Sequence, residues 1–403
     1  MYIMLYKTSN YEIEYNNNIS NINIIKEYYR HYLYSKLKKY LLQYKKDLNI
    51  SDDKLSPSFA LEVLSIILFN HKFKSNEIIF DKISPFDNKR LIKFISKDHL
   101  TMSNNQITYI KQLFPLISKK YKKYYNILLS SYLNNKINNN EYNINFTKDD
   151  TNFYLTFTMN KIKNTIRIPN ILFYNLVKMY NVNTLNIYNN NEILDDKVIQ
   201  YIYILFDRYN IFSSGNVQSS ILPSFKLLLK QYLNIKIELF ASSINSSNYK
   251  FGSYFYDIDK YFGSLGNFFK MNIISGYYEA NPPFDKNIIY KFFKKLLIFF
   301  KSASVRKKSL LFVIILPISY KLNKILQQFN KLVIIQKYFI KKDKFPYLRY
   351  NRQYTKSIVS PIVNTNIIII YNNYIVPYVK ENINNFKQIL DEWINKKEQN
   401  KIL

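Results

Sequence analysis

Apolar residues recur at three- and four-residue steps along residues 22–47: Ile25, Tyr28, Tyr29, Tyr32, Leu33, Leu37, Tyr40, Leu41 and Tyr44, with Lys36, Lys38, Lys39 and Lys45 off that stripe. A period near 3.6 predicts one helix with a buried, tyrosine-rich face. Segments 58–69, 87–95 and 106–133 continue in the same style, punctuated by Pro57, Pro85 and Pro115, so the first third reads as helical. The pattern then changes. Residues 142–168 fall into short alternating runs such as 152–158, which predicts a small antiparallel unit, and helices are expected over 170–180 and 196–209.

From about residue 216 the chain alternates between strand and helix patterns, the signature of an α/β sheet. Helices are expected at 224–233 and 285–302, and strands at 235–240, 271–278 and 310–316. The runs 332–336 and 365–371 suit an antiparallel pair closing that sheet, and 381–397 suits an amphipathic helix carrying Trp393, the only tryptophan. The expected organisation is a helical domain over 1–140, with an Asn-rich linker at 134–140. A small β unit with helices follows over 141–215, an α/β core over 216–378, and a helical tail over 379–403.

Charge adds a class of partner. Fifty-eight Lys and Arg against 28 Asp and Glu give the 403-residue chain a net charge of +30, which favours polyanions such as nucleic acid. Compositional drift toward Lys, Asn, Ile and Tyr would give the same excess without any such partner. Lys119, Lys120, Lys122 and Lys123 interleave with Tyr121, Tyr124 and Tyr125, a mix that serves either as a solvated helix face or as a surface for RNA.

The absence of cysteine excludes disulfides, thiol catalysis and Cys-based zinc sites, and His31, His71 and His99 do not stand at metal-site spacing, so no metal is expected. The longest apolar runs, 310–317 and 367–371, are far too short to span a bilayer, and no signal-peptide core opens the chain. The expectation is a soluble intracellular protein without a membrane partner.

The chemistry concentrates at Asn281-Pro282-Pro283-Phe284, which follows an expected strand and precedes an expected helix. Open α/β sheets bind ligands at that place. A tetrapeptide of the form Asn/Asp/Ser-Pro-Pro-aromatic suits methylation of the exocyclic amine of adenine by S-adenosylmethionine. That amine is a poor nucleophile because its lone pair is delocalised into the ring, so the enzyme must position it. Asn281 Oδ1 and the Pro282 carbonyl can accept both amine hydrogens and aim the lone pair at the methyl group. Pro282 and Pro283 fix φ and remove competing donors, and Phe284 offers a face for stacking an extruded base. A plain strand-to-helix turn with proline at the helix start would read the same way.

The cofactor half is expected upstream. Small residues after the first strand, in 238–245, allow a ligand to approach, and Asn245 can bond its polar ends. Asp257 and Asp259 follow the second strand, where a carboxylate suits ribose hydroxyls, and Gly263 with Gly266 suits a tight turn.

Taken together, Phe240-Ala-Ser242, Asn245, Asp257-Ile-Asp259, Tyr261-Phe-Gly-Ser264 and Gly276-Tyr-Tyr-Glu-Ala-Asn-Pro-Pro-Phe284 resemble the cap-specific adenosine methyltransferase family, also called phosphorylated-CTD-interacting factor. The likeness runs through 310–317 and into 365–371, about the C-terminal half. The resemblance implies an α/β fold with a Rossmann-like class I methyltransferase domain, preceded by a mainly helical domain.

It also implies transfer of a methyl group from S-adenosylmethionine to the 6-amino group of 2′-O-methyladenosine beside the 7-methylguanosine cap, with capped mRNA as partner. By the same analogy Asn281, Pro282 and Phe284 hold the adenine, while Ala241, Ser242, Asn245, Asp259, Phe262, Gly263 and Glu279 face the cofactor. Arg349, Arg352 and Lys356 are candidates for the cap and triphosphate.

The family's animal members begin with a WW domain that docks on the polymerase tail. The first hundred residues here contain no tryptophan, so that docking is not expected, and the short basic form looks like a divergent or viral relative. Methylation of DNA or internal RNA adenine, and a silent cap- or RNA-binding subunit, are the alternatives these residues leave open.

Overall fold

A computed structural model describes residues 2–7, 11–17, 142–159, 162–186, 194–212, 219–246, 250–283, 286–317, 322–329, 332–350, 354, 356–361 and 363–399, with individual positions between 24 and 43 and between 112 and 130. The individual positions in those last two stretches are helical, in agreement with the tyrosine-stripe periodicity. The helices expected at 58–69 and 87–95 and the linker at 134–140 lie outside the described residues.

One departure opens the chain. The segment expected to be helical starts with an antiparallel hairpin, β1 (Tyr2–Lys7) and β2 (Glu12–Asn17). Its strand β2 pairs with residues 271–275 of a strand far along the chain. Those residues precede the stretch that pairs with parallel neighbours, and their backbone groups need partners that β2 supplies. Ile13 is fully buried there.

Strands β3 (Asn143–Lys148), β4 (Asn152–Met159) and β5 (Ile162–Pro169) form the expected antiparallel unit. Asp149 Oδ1 accepts from the Thr151 and Asn152 backbone N–H groups at 2.8 and 2.6 Å, which fixes the first turn. Helices α1 (Asn170–Tyr180) and α2 (Asp196–Phe212) follow. Two buried contacts tie α2 to the early helical residues: Arg208 pairs with Glu27, and the Asp207 carboxylate lies 2.7 Å from His31 Nδ1.

The remaining elements are β6 (Ser219–Ile221), α3 (Pro223–Leu233), β7 (Ile237–Ala241), β8 (Phe251–Ser253), α4 (Tyr256–Asp259), β9 (Ser264–Gly266), β10 (Met271–Ala280), α5 (Lys286–Val305), β11 (Leu310–Pro317), α6 (Asn323–Leu326), β12 (Ile334–Ile340), β13 (Tyr347–Tyr350), β14 (Lys356–Val359), β15 (Thr365–Tyr371), α7 (Pro377–Asn384) and α8 (Phe386–Gln399). Proline opens α3 and the left-handed Asn234 ends it.

The central sheet runs β12-β15-β11-β10-β7-β8-β9. From β11 to β9 its neighbours are parallel, and β15 is antiparallel to both β11 and β12. This mixed α/β architecture with a mostly parallel sheet is compatible with a Rossmann-like fold. Strand β11 is apolar throughout because both its faces are covered. Leu310, Phe312, Ile314 and Leu316 join a cluster with Phe292, Phe293, Leu296, Phe299 and Phe300 of α5, while Leu311, Val313 and Ile315 join the opposite cluster.

A small second sheet joins β14, β13 and β6. The C-terminal residues, expected as one helix of a separate tail, form two helices that pack on the core. The Trp393 ring lies 4.9 Å from Phe225 of α3 and 5.7 Å from Phe345.

Gly252 of β8 lies close against the backbone of β7. A Cβ there would stand 2.5 Å from the Leu239 carbonyl oxygen, which neither backbone can relieve cheaply. Gly252→Ala is expected to lower stability by about 1–3 kcal/mol, read as a shift of the urea midpoint with unchanged slope. An unshifted midpoint would mean that the two strands separate freely.

Candidate active site

The chain winds outward from β7 through β8 to β9, then returns to the other side of β7 as β10. Winding therefore reverses between β7 and β10, and a crevice is expected beyond the carboxyl ends of these two strands. Ala241 ends β7 and Ala280 ends β10, so the fold brings the two halves expected from the sequence to one edge of the sheet.

The turn after β7 is tightly specified. Asn245 Oδ1 accepts from the Ser242 backbone N–H at 2.8 Å and from its hydroxyl at 3.0 Å. Asp259 Oδ1 accepts from the Ser243 N–H at 3.0 Å and from its hydroxyl at 2.5 Å, and Asp259 Oδ2 accepts from the Tyr209 hydroxyl at 2.7 Å. Burial raises the Asp259 carboxyl from 3.8 to about 6, against the pull of hydrogen bonds from Ser243, Tyr209 and Ser253. Asp257 is held by Arg208, whose Nη1 lies 2.6 and 2.7 Å from its two oxygens. The two acids expected near ribose hydroxyls thus bind protein groups around the turn.

Phe240 lies among Phe268, Phe269 and Phe292, and Phe262 is fully buried. Gly263 and Gly266 adopt φ of 107° and 124°, the left-handed backbone expected of that turn.

Between these two strands and α3 lies a buried charge cluster. Glu238 of β7 and Glu279 of β10 are paired in register, so both carboxylates project from the same face of neighbouring parallel strands. Lys226 of α3 meets Glu238 Oε2 at 2.5 Å, and all three side chains are buried. Burial pushes Glu279 from 4.5 to about 8, with Glu238 adding to the rise and Lys226 opposing it. Tyr347 and Tyr350 of β13 feel the same charges. Burial raises both phenols to about 12, and Glu279 and Glu238 respectively add to it.

Two oxygens on this strand stand out. Glu279 Oε1 and Asn281 Oδ1 are both shielded from solvent and have no hydrogen-bond partner among the described residues. A buried acceptor left unpaired costs about 1–3 kcal/mol, so each is a place where a ligand donor would gain. Pro282 is buried and Pro283 exposed, while Phe284 lies outside the described residues.

Arg349 and Lys356 fall on neighbouring strands β13 and β14, half-buried and exposed respectively, in the small sheet rather than the central one. Arg352 lies outside the described residues.

Residues 175–349 match the family model described as the phosphorylated CTD interacting factor 1 WW domain. Over that stretch the chain is similar to that family. The span shared with the family begins inside α1 and ends in β13, so it contains the turn after β7, the acids of α4 and Asn281. It contains no tryptophan, since the only one is Trp393.

Sequence reasoning did not find Lys226, Arg208, Tyr209 or Ser243. A signal existed for the first, because Glu238 is a charge inside an apolar strand and needs a cation nearby. No helix among the described residues is long and apolar enough to cross a membrane, and none of their His, Asp and Glu side chains gather in threes around a possible metal position.

Two measurements test the cluster. Lys226→Met leaves buried carboxylates without their cation and is expected to cost about 3–5 kcal/mol in chemical denaturation. The second concerns pH. Because folding raises the Glu279 carboxyl, its contribution to stability is complete below 4.5 and is lost as pH rises through about 8. The thermal midpoint of Glu279→Gln should therefore fall less than that of the parent over this window, and equal slopes would assign the titration to another group.

Proposed function

We propose that this chain is an S-adenosylmethionine-dependent methyltransferase acting on the 6-amino group of adenosine. The proposed substrate is 2′-O-methyladenosine beside the 7-methylguanosine cap of mRNA. The observation that carries the reading is the solvent-shielded Asn281 Oδ1, without a hydrogen-bond partner among the described residues, beyond the end of β10 within an Asn-Pro-Pro turn at the point where the winding reverses. The similarity of residues 175–349 to that family supports it.

In this reading Asn281 Oδ1 and the Pro282 carbonyl accept the two amine hydrogens, which removes the nitrogen lone pair from conjugation and orients it. Pro282 and Pro283 keep the turn rigid and free of donors, and Phe284 stacks on the base.

The residues present also fit the cofactor. Glu279 Oε1 is a buried acceptor without a partner among the described residues, suited to an ammonium group, and Ala241 and Ser242 are small residues at the end of β7. Phe240, Ala241, Ser242, Asn245, Phe262, Gly263 and Glu279 would hold S-adenosylmethionine, with Asp259 bracing the turn and Asp257 held beside it in α4 by Arg208. When bound, that group supplies an activated methyl. Arg349, Arg352 and Lys356 are proposed to meet the capped end, where cations neutralise phosphate.

The test uses purified protein, labelled S-adenosylmethionine and three substrates in parallel: capped RNA beginning with 2′-O-methyladenosine, the same RNA uncapped, and duplex DNA. Label confined to the capped RNA is the expected outcome. Label on DNA, or equal label with and without a cap, would overturn the substrate assignment. RNA binding without any label would overturn the enzymatic one. Asn281→Ala is expected to reduce turnover by about 10²-fold or more, the loss typical of one positioned acceptor, with little change in thermal stability. Turnover comparable to the parent would remove Asn281 from the mechanism.

A further inference from the structure

Helix α2 lies outside every segment that the sequence marks for chemistry, yet its consecutive residues Arg208 and Tyr209 each hold one of the two acids of α4. Arg208 takes Asp257 through Nη1 and pairs with Glu27 on its other side. Tyr209 donates to Asp259 Oδ2 at 2.7 Å, its ring standing edge-on to Phe255 at 5.1 Å. The opposite oxygen of Asp259 takes both the backbone N–H and the hydroxyl of Ser243. The chain of contacts therefore runs from α2 through one buried carboxylate to the backbone of the turn after β7.

We propose that Tyr209 is a positioning residue for cofactor binding, acting through Asp259 to fix the backbone of the Ser242–Ser243 turn. This rests on the reading that the turn after β7 holds the cofactor. The geometry distinguishes Asp259 from an ordinary ribose ligand, because both its oxygens are already bonded to protein and the residue is fully buried. Asn245 closes the turn locally through Ser242, but nothing within the turn itself engages the Ser243 N–H as Asp259 does.

The device has a pH signature. The groups facing the Asp259 carboxylate are Tyr209 from α2, Ser243 from the turn and Ser253 from β8, while Arg208 and Asp257 act on Tyr209 in opposite directions. All three direct partners of Asp259 favour its charged form, and burial alone opposes it. Losing the Tyr209 hydroxyl removes one of those three, so the carboxyl titrates at higher pH.

The experiment is calorimetric titration of the full-length protein with S-adenosylhomocysteine across about pH 5 to 8.5, for the parent, Tyr209→Phe and Asp259→Asn. The parent is expected to lose affinity as pH falls through about 6. In Tyr209→Phe the midpoint of that loss should move upward by about one pH unit, the scale of one hydrogen bond to a carboxylate. Asp259→Asn keeps an acceptor oxygen but cannot titrate, so its affinity should be flat across the window. It also serves if the phenylalanine variant fails to fold. A purely architectural tyrosine would lower stability and leave the midpoint where it was, and that result overturns the proposal. Affinity in Asp259→Asn that still follows the parental pH curve overturns it too. Failure of the parent to bind S-adenosylhomocysteine at any pH would instead sink the proposed function, and this inference with it.

Discussion

Strands β7 and β10 meet through two residue pairs, Ile237 with Tyr278 and Glu238 with Glu279, and this short parallel contact is where the direction of winding changes. On one side the chain proceeds outward through β8 and β9, and on the other through β11 to the antiparallel β15 and β12. In open α/β sheets the carboxyl ends of strands at such a reversal are where ligands bind. The same register sets two carboxylates side by side in an apolar interior. That arrangement requires a cation, and α3 supplies it in Lys226.

Around this junction the protein fixes its loops by long-range acceptors rather than by local turn chemistry alone. Asp259 reaches back to Ser243 and further back to Tyr209, while Arg208 draws Asp257 and Glu27 together. The α2 helix thereby joins the early helical residues to the edge of the central sheet. The C-terminal helices complete the enclosure from behind, with Trp393 wedged near Phe225 and Phe345. Conformational precision at the turn after β7 is therefore a property of several remote segments together.

The elements with strong periodicity were legible in the sequence. The helix expected at 170–180 is α1 and the strand expected at 365–371 is β15, each at its expected bounds, and the antiparallel closing pair is present. Strands β8, β9 and β6 were not legible, because three residues are too few to show a period of two. The β1–β2 hairpin was hidden for a different reason, since its reason to exist is an unpaired stretch of β10 more than 250 residues away. At the candidate site, Asn281 and Pro282 could be named as candidates from their neighbours in the chain, and Glu279 from the family resemblance. Lys226 and Tyr209 could not, because what makes them matter is proximity across the fold and not spacing along it.

The pairing of β2 with β10 also has a bearing on how the molecule is made. A ribosome delivers residues 12–15 long before 271–275, so the first hairpin must wait, its outer edge unsatisfied, while most of the polypeptide emerges. Contacts of such long sequence separation are slow to close. The nascent β1–β2 ribbon is thus exposed to wrong partners during synthesis, and a translational pause placed before β10 would prolong that hazard.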